Sequence, residues 1–184
     1  MKNILLVTSL ALLLVSCGST DTSNVNLSKF EGKNFSIEVP KTWTKVEDAQ
    51  LPKPKNGTIM LALTSTDISS GFANNLLVLK DTLQSGSDPA MTSRKYAVIN
   101  SALTNGNYKA YTKLSDATFK YTDNDEGLIT TFEAQYNDAT PKQKFLQTAK
   151  ICGKDVYLMT IGLAYSTSDT AKYEAIFKTF TCVK

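Results

Sequence analysis

The side chains able to do chemistry in this chain are few, and the first fact about them is an absence: its 184 residues include no histidine. That removes Ser-His-Asp and Cys-His nucleophile pairs, HExxH zinc sites and the side chain best suited to base work near neutral pH. Three cysteines are present, Cys17, Cys152 and Cys182, and their spacing excludes a CxxC redox pair. No SxxK lies at a helix start, so a Ser-Lys hydrolase site has no motif behind it, and most lysines are simply solvated. No catalytic residue, cofactor or metal site is therefore expected, and the chain reads as a non-enzyme. Asp123-Asn124-Asp125-Glu126-Gly127 admits two readings, a fragment of a calcium loop or a polar hairpin turn. The glycine comes one place early for an EF-hand, and Ala134 stands where the closing Glu belongs, which favours the turn. Trp43, Tyr108 and Tyr111 either line a ligand pocket or pack at the core's rim.

Cys17 draws its meaning from what precedes it. Lys2 gives a positive start, Ile4 to Val15 is mostly apolar, and the run ends in Leu14-Val15-Ser16-Cys17. This follows the plan of a secretory signal and is too short for a bilayer span of roughly 20 apolar residues. The last four residues resemble a bacterial lipobox, in which the cysteine thiol is acylated and becomes the new N-terminus. The other reading is an ordinary cleaved signal with a chance cysteine. Gly18 stands where an Asp would signal inner-membrane retention in enterobacteria, so the resemblance leans toward the outer membrane. In an exported chain the two remaining cysteines either pair, Cys152 with Cys182, or stay as free thiols.

Residues 1–16 are thus read as a signal peptide, 17–28 as a lipidated N-terminus with a polar tether, and 29–184 as one domain. Lysine and arginine number 20 against 17 acids. The lysines are scattered without an aromatic-interleaved basic run, so no nucleic-acid partner is expected.

Phe35, Ile37 and Val39 alternate with polar residues and predict a strand ending at Pro40, with Trp43 just past the turn. Thr58 to Thr64 reads as a strand and 66–71 as a turn. Leu76-Leu77-Val78-Leu79 reads as a central strand covered on both faces. Asp88-Pro89 predicts a helix start, with Met91, Val98, Ile99, Ala102 and Leu103 as a broad apolar face and Asn105-Gly106 as its stop. A meander over 108–114, 118–121, 128–136, 143–151 and 156–165 follows, and Gly153-Lys154 forms its last tip. Ser168 and Asp169 predict the cap of a final helix whose Tyr173, Ile176, Phe177 and Phe180 form one stripe.

This order of elements resembles the PsbP-like superfamily, which includes thylakoid PsbP proteins and DcrB-type lipoproteins. The resemblance rests on 35–43, with its Pro-x-x-Trp turn, on the strand 74–79, on the hairpin 153–160 and on the closing helix 173–180. It implies an α+β fold, an α/β/α sandwich with a mostly antiparallel sheet, a mid-chain helix and a C-terminal helix. It also implies a binding or assembly role: a non-catalytic lipoprotein anchored to the membrane, facing the periplasm or exterior, with an envelope protein as partner. The alternatives are a small-ligand or glycan-binding lipoprotein and, more remotely, the Ser-Lys hydrolase.

Overall fold

Alternation in Phe35-Ser36-Ile37-Glu38-Val39 puts three apolar side chains on one side of a strand, and all three are buried. The computed structural model describes residues 26–51, 53–69, 71–83, 88 and 90–183; the signal peptide and Cys17 lie outside these. That strand, β2 (Phe35–Pro40), is the middle of a three-stranded sheet between β1 (Leu27–Gly32) and β10 (Thr181–Cys182), antiparallel to both. Leu27 and Ser28, read from sequence as tether, are the first residues of β1.

The other strands are β3 (Trp43–Lys45), β4 (Thr58–Ser69), β5 (Phe72–Thr82), β6 (Lys109–Lys120), β7 (Glu126–Gln135), β8 (Gln143–Cys152) and β9 (Asp155–Leu163). They form a wholly antiparallel sheet in the order β3-β4-β5-β9-β8-β7-β6. Two sequence expectations change here. The predicted turn at 66–71 is mostly strand, because β4 continues to Ser69 past an irregularity between Thr64 and Ile68. The two predicted strands at 108–114 and 118–121 are one, β6, which absorbs the polar break in register shifts against β7. Gly153, at the tip joining β8 to β9, has φ +65, where a side chain would be strained.

Helix α2 (Ala171–Lys178) and the small sheet cover one face of the large sheet. Tyr173, Ile176, Phe177 and Phe180 meet Phe35, Ile37, Leu61, Leu76, Tyr157 and Met159 there. The helix starts one residue later than Ser168 and Asp169 suggested: Thr170 is its N-cap and makes no side-chain cap hydrogen bond, while the Asp169 carboxylate just before it accepts the Ala171 N–H at 3.0 Å. Helix α1 (Ser93–Thr104) lies on the other face, over β7 and β8. It begins later than Asp88-Pro89 suggested: the Thr92 hydroxyl accepts the Lys95 N–H at 3.2 Å, while Asp88 accepts from Ala90 instead. With a second sheet rather than helices alone on one face, the molecule is richer in sheet than an α/β/α sandwich.

Register defines two poles. The upper one collects Asn26, the β2–β3 turn, the tip of the β4–β5 hairpin, the ends of β7 and β9 and the start of β8. The lower one holds the β6–β7 and β8–β9 turns and the Cys152–Cys182 disulfide, which ties β8 to β10 with Cα atoms 5.6 Å apart.

Candidate functional site

Lys150 lies on β8, an interior strand, on the side facing α2, and only 2% of its side chain is exposed. An ammonium in such a place must be paired. Its partners come from the β6–β7 turn: Nζ lies 2.9 and 2.7 Å from the two Asp123 oxygens and 2.9 Å from Asp125 Oδ2. The Tyr121 ring stands 4.6 Å from the same nitrogen. Ser93, the first residue of α1, donates its hydroxyl hydrogen to Asp125 Oδ2 and accepts the Ile151 N–H at 2.9 Å. Burial works against a charged Asp123, but the hydrogen bond and charge of Lys150 outweigh it and hold the carboxyl below its ordinary range. Burial pushes the Tyr121 hydroxyl well above its ordinary value; that hydroxyl donates to the Ala149 carbonyl at 2.8 Å.

The cluster brings a serine and a lysine to one carboxylate oxygen, but its geometry is that of a clasp. Ser93 is 1% exposed and its hydrogen is committed to Asp125, while an ammonium between two carboxylates carries no lone pair to accept a proton. The Asp123 to Gly127 segment is the hairpin turn: Tyr121 N–H donates to the Asp125 carbonyl and Asn124 N–H to the Tyr121 carbonyl, each at 3.0 Å. Oxygens that a calcium ion would need are turned to Lys150 and Ser93, and Glu126 faces Arg94 at 3.3 Å.

At the upper pole a cleft of about 510 Å³ opens between the β2–β3 turn, the β4–β5 hairpin and the start of α2. Trp43 and Tyr173 supply its aromatic wall, with ring centroids 6.3 Å apart. Asn74 fixes that wall. Its amide donates to the Tyr173 hydroxyl at 2.8 Å and its carbonyl oxygen accepts the Ala164 N–H at 3.0 Å. Ser65, Asp67, Asp169 and Lys172 bring hydroxyl, carboxylate and ammonium groups to the rest of the lining. An aromatic platform with polar groups around it suits a polar ligand carrying apolar edges, such as a sugar.

The third feature is the outer flank of α1. The sequence reads Val98, Ile99 and Leu103 as part of an apolar packing face; the structure leaves them 49, 49 and 66% exposed. Its buried residues are Ser93, Ala97 and Thr104. Hydrogen bonds decide this rotation. Gln147 Oε1 accepts from Asn100 Nδ2 at 2.7 Å and from the Thr104 hydroxyl at 2.8 Å, and its Nε2 donates to Thr160 at 2.9 Å. Ser93 holds the other end of the helix. Grooves of about 380 and 260 Å³ follow the exposed flank, the first lined by Leu83, Met91, Tyr96, Ile99 and Leu103, the second by Leu77, Leu79 and Leu158.

The three aromatics named from sequence are not brought together. Trp43 is in the upper cleft. Tyr108 packs on Phe132 and Phe145 with centroids 5.4 and 5.1 Å away, and burial raises its hydroxyl's pKa. Tyr111 lies on Phe132 at 5.0 Å. Both belong to a small aromatic cluster under β6, although Tyr108 also edges the smaller groove. Cys152 and Cys182 form the expected disulfide. Lys150 was missed, yet a signal existed: β8 carries apolar residues on both faces, so a lysine inside it must be buried and must find acids.

No protein-family model and no curated protein matches the chain. Among solved structures it is similar to the cyanobacterial PsbP protein CyanoP of Synechocystis sp. PCC 6803. The TM-score is 0.58 at 13% identity, over 92% of this chain and 99% of that one. It is also similar to the Ran-binding protein Mog1p of Saccharomyces cerevisiae, with TM-score 0.54 at 7% identity over 87 and 97% of the two chains. A third is PA94 of Pseudomonas aeruginosa, a protein of unknown function, with TM-score 0.50 at 10% identity over 83 and 91%. At such identities the likeness is one of fold, and that fold is PsbP-like.

Proposed function

We propose that this chain is a non-catalytic binding domain held outside the cytoplasm by lipid on Cys17, and that it engages an envelope protein through the outer flank of α1. The observation that carries the binding role is that flank. A helix whose rotation is held by buried hydrogen bonds presents Val98, Ile99 and Leu103 to solvent, the last two lining a groove with Leu83, Met91 and Tyr96. Scattered single apolar residues need no explanation, but Ile99 and Leu103, one turn apart on a fixed helix and lining that groove, make a site for apolar contact. The lipobox-like Leu14-Val15-Ser16-Cys17 and the disulfide support an exported location. Mog1p, similar in fold, is a Ran-binding protein, so protein binding has a precedent on this architecture.

Two measurements test this. The intact protein's mass and cell fractionation, compared with Cys17→Ala, report the anchor: acyl mass and membrane partition in the parent, neither in the variant. For the partner, crosslinking in intact cells is compared between the parent and Ile99→Lys/Leu103→Lys. A specific adduct lost in the double variant supports the α1 surface; an adduct pattern unchanged by it sinks that surface as the site.

A second reading, a small-ligand or glycan-binding lipoprotein, is favoured by the cleft beside Trp43, where an aromatic wall faces polar groups. Trp43 is the chain's one tryptophan, so its emission reports occupancy directly in a ligand screen. Saturable quenching by a soluble saccharide, abolished in Asp169→Ala, would move the function there.

A further inference from the structure

We infer that the upper pole is a membrane-apposed surface, on which Ile68, Tyr136 and Tyr165 rest at the lipid–water boundary of the bilayer that holds the anchor. This rests on the lipid-anchor reading above and adds the orientation of the domain.

The path of the chain points to this pole. Asn26 is at the upper pole, where its carbonyl accepts the Lys41 N–H from the β2–β3 turn at 3.0 Å. Cys17 is nine residues earlier, and nine residues span at most about 32 Å when fully extended. An anchor at Cys17 therefore keeps this pole, rather than the disulfide pole, close to the lipid. A short link also raises the effective concentration of surface and domain to the millimolar range, so weak docking suffices.

The distribution of exposed apolar groups agrees. Among the described residues the large ones include Ile68, 73% exposed near the β4–β5 tip, Tyr136 just past β7 and Tyr165 just past β9. Leu103 sits on the last turn of α1 below them. Val98 and Ile99 lie midway along α1, Leu114 lies midway along β6, and Val183 is at the lower pole. Tyrosine suits an interface, where its ring meets acyl chains and its hydroxyl meets water. Lys142 lies over the Tyr165 ring at 5.8 Å, so the stem of a cation accompanies it.

Charge does not drive the contact. Lys41, Lys109, Lys142, Lys144 and Lys172 at this pole are offset by Asp67, Glu133, Asp138 and Asp169. Docking should then depend little on anionic lipid or on salt. It also turns the mouth of the Trp43 cleft toward the bilayer and leaves the middle of α1 free to meet a neighbour alongside.

The test uses the full-length acylated protein in vesicles of phosphatidylcholine, with a diazirine side chain placed at position 68 or, as the control, at position 183. Both positions are exposed, so folding is not at stake. After irradiation, lipid adducts at 68 should exceed those at 183 by about tenfold, with no large change when phosphatidylglycerol is added. Equal adducts at the two positions, or none at 68, overturn the inference. Intact mass separates the two failures: acylated protein without the bias defeats the orientation alone, whereas a chain without acyl mass defeats the anchor and the orientation together.

Discussion

The two helices are of similar amphipathicity by sequence but are held by a different balance of contacts. Helix α2 buries Tyr173, Ile176 and Phe177 against the small sheet and β4, β5 and β9, a contact that is large, apolar and without direction. Helix α1 buries Ser93, Ala97 and Thr104; Ala97 and Tyr96 make a small apolar contact with Leu128, Ala149 and Val156, and directed hydrogen bonds to Asp125, Ile151 and Gln147 add to it. Apolar burial stabilises more; hydrogen bonds between buried polar groups choose one rotation. With polar groups helping to fix that rotation, Val98, Ile99 and Leu103 are left outside, where they can act on something else.

That contrast can be broken most strongly on the α2 side. Phe177→Ala removes a fully buried ring and should cost about 3–5 kcal/mol in chemical denaturation, enough to threaten folding. A loss under about 1 kcal/mol would mean that α2 does not close the core.

The clasp around Lys150, which Ser93 at the start of α1 joins, should respond asymmetrically. Asp123→Asn/Asp125→Asn leaves the Lys150 ammonium buried and unpaired and should cost several kcal/mol, on the order of 3. Lys150→Met should cost less, since the two carboxylates are 46 and 32% exposed and can take up water. Equal losses would show that the lysine is not the group at risk. The clasp also has a pH signature. The Asp123 carboxyl has a lower pKa folded than unfolded, so its contribution is complete above the unfolded value near 3.9 and is lost as pH falls through the folded one. Thermal melts should show this acid loss in the parent and a weaker one in Lys150→Met. Tyr121 gives the opposite limb: its raised pKa means stability falls as pH climbs above about 10, where the unfolded chain ionises first.

Gln147→Leu tests what sets the rotation of α1. It deprives Asn100, Thr104 and Thr160 of their shared partner and should cost about 1–3 kcal/mol. The informative readout is hydrogen exchange: amides of α1 should lose protection while those of α2 keep theirs. Uniform loss across both helices would contradict two independent modes of attachment.

Smallest in stability and sharpest in meaning is Ile99→Lys/Leu103→Lys. Both side chains are exposed, so the change should stay within about 0.5 kcal/mol while adducts to a partner disappear. A large destabilisation would mean that these residues pack after all.

Much of the architecture was legible because it follows from local rules. The alternation at 35–39, the stripe at 173, 176, 177 and 180 and the glycine tip at 153 are each stated by a few neighbouring residues, while the cysteine count offered Cys152 and Cys182 as a pair without deciding it. β1 was not legible: Leu27 and Phe30 stand three apart with no period of two, and the strand exists because the edge of β2 offers it hydrogen bonds. The rotation of α1 was not legible either, because apolar spacing names a stripe and cannot see Gln147 waiting on β8.

By itself the sequence determined the absence of histidine chemistry, a cysteine at the end of a signal-like run, two further sulfurs available to pair and the places where apolar residues alternate. Tertiary structure alone decided which side of α1 meets the sheet, that Lys150 would be buried between Asp123 and Asp125, and that Asn26, Ile68, Tyr136 and Tyr165 would share one pole. The physical reason is range. Periodicity and turn chemistry act over a few residues, whereas a buried charge finds its partners, and an exposed surface its neighbours, only after strands far apart in the chain have come into register.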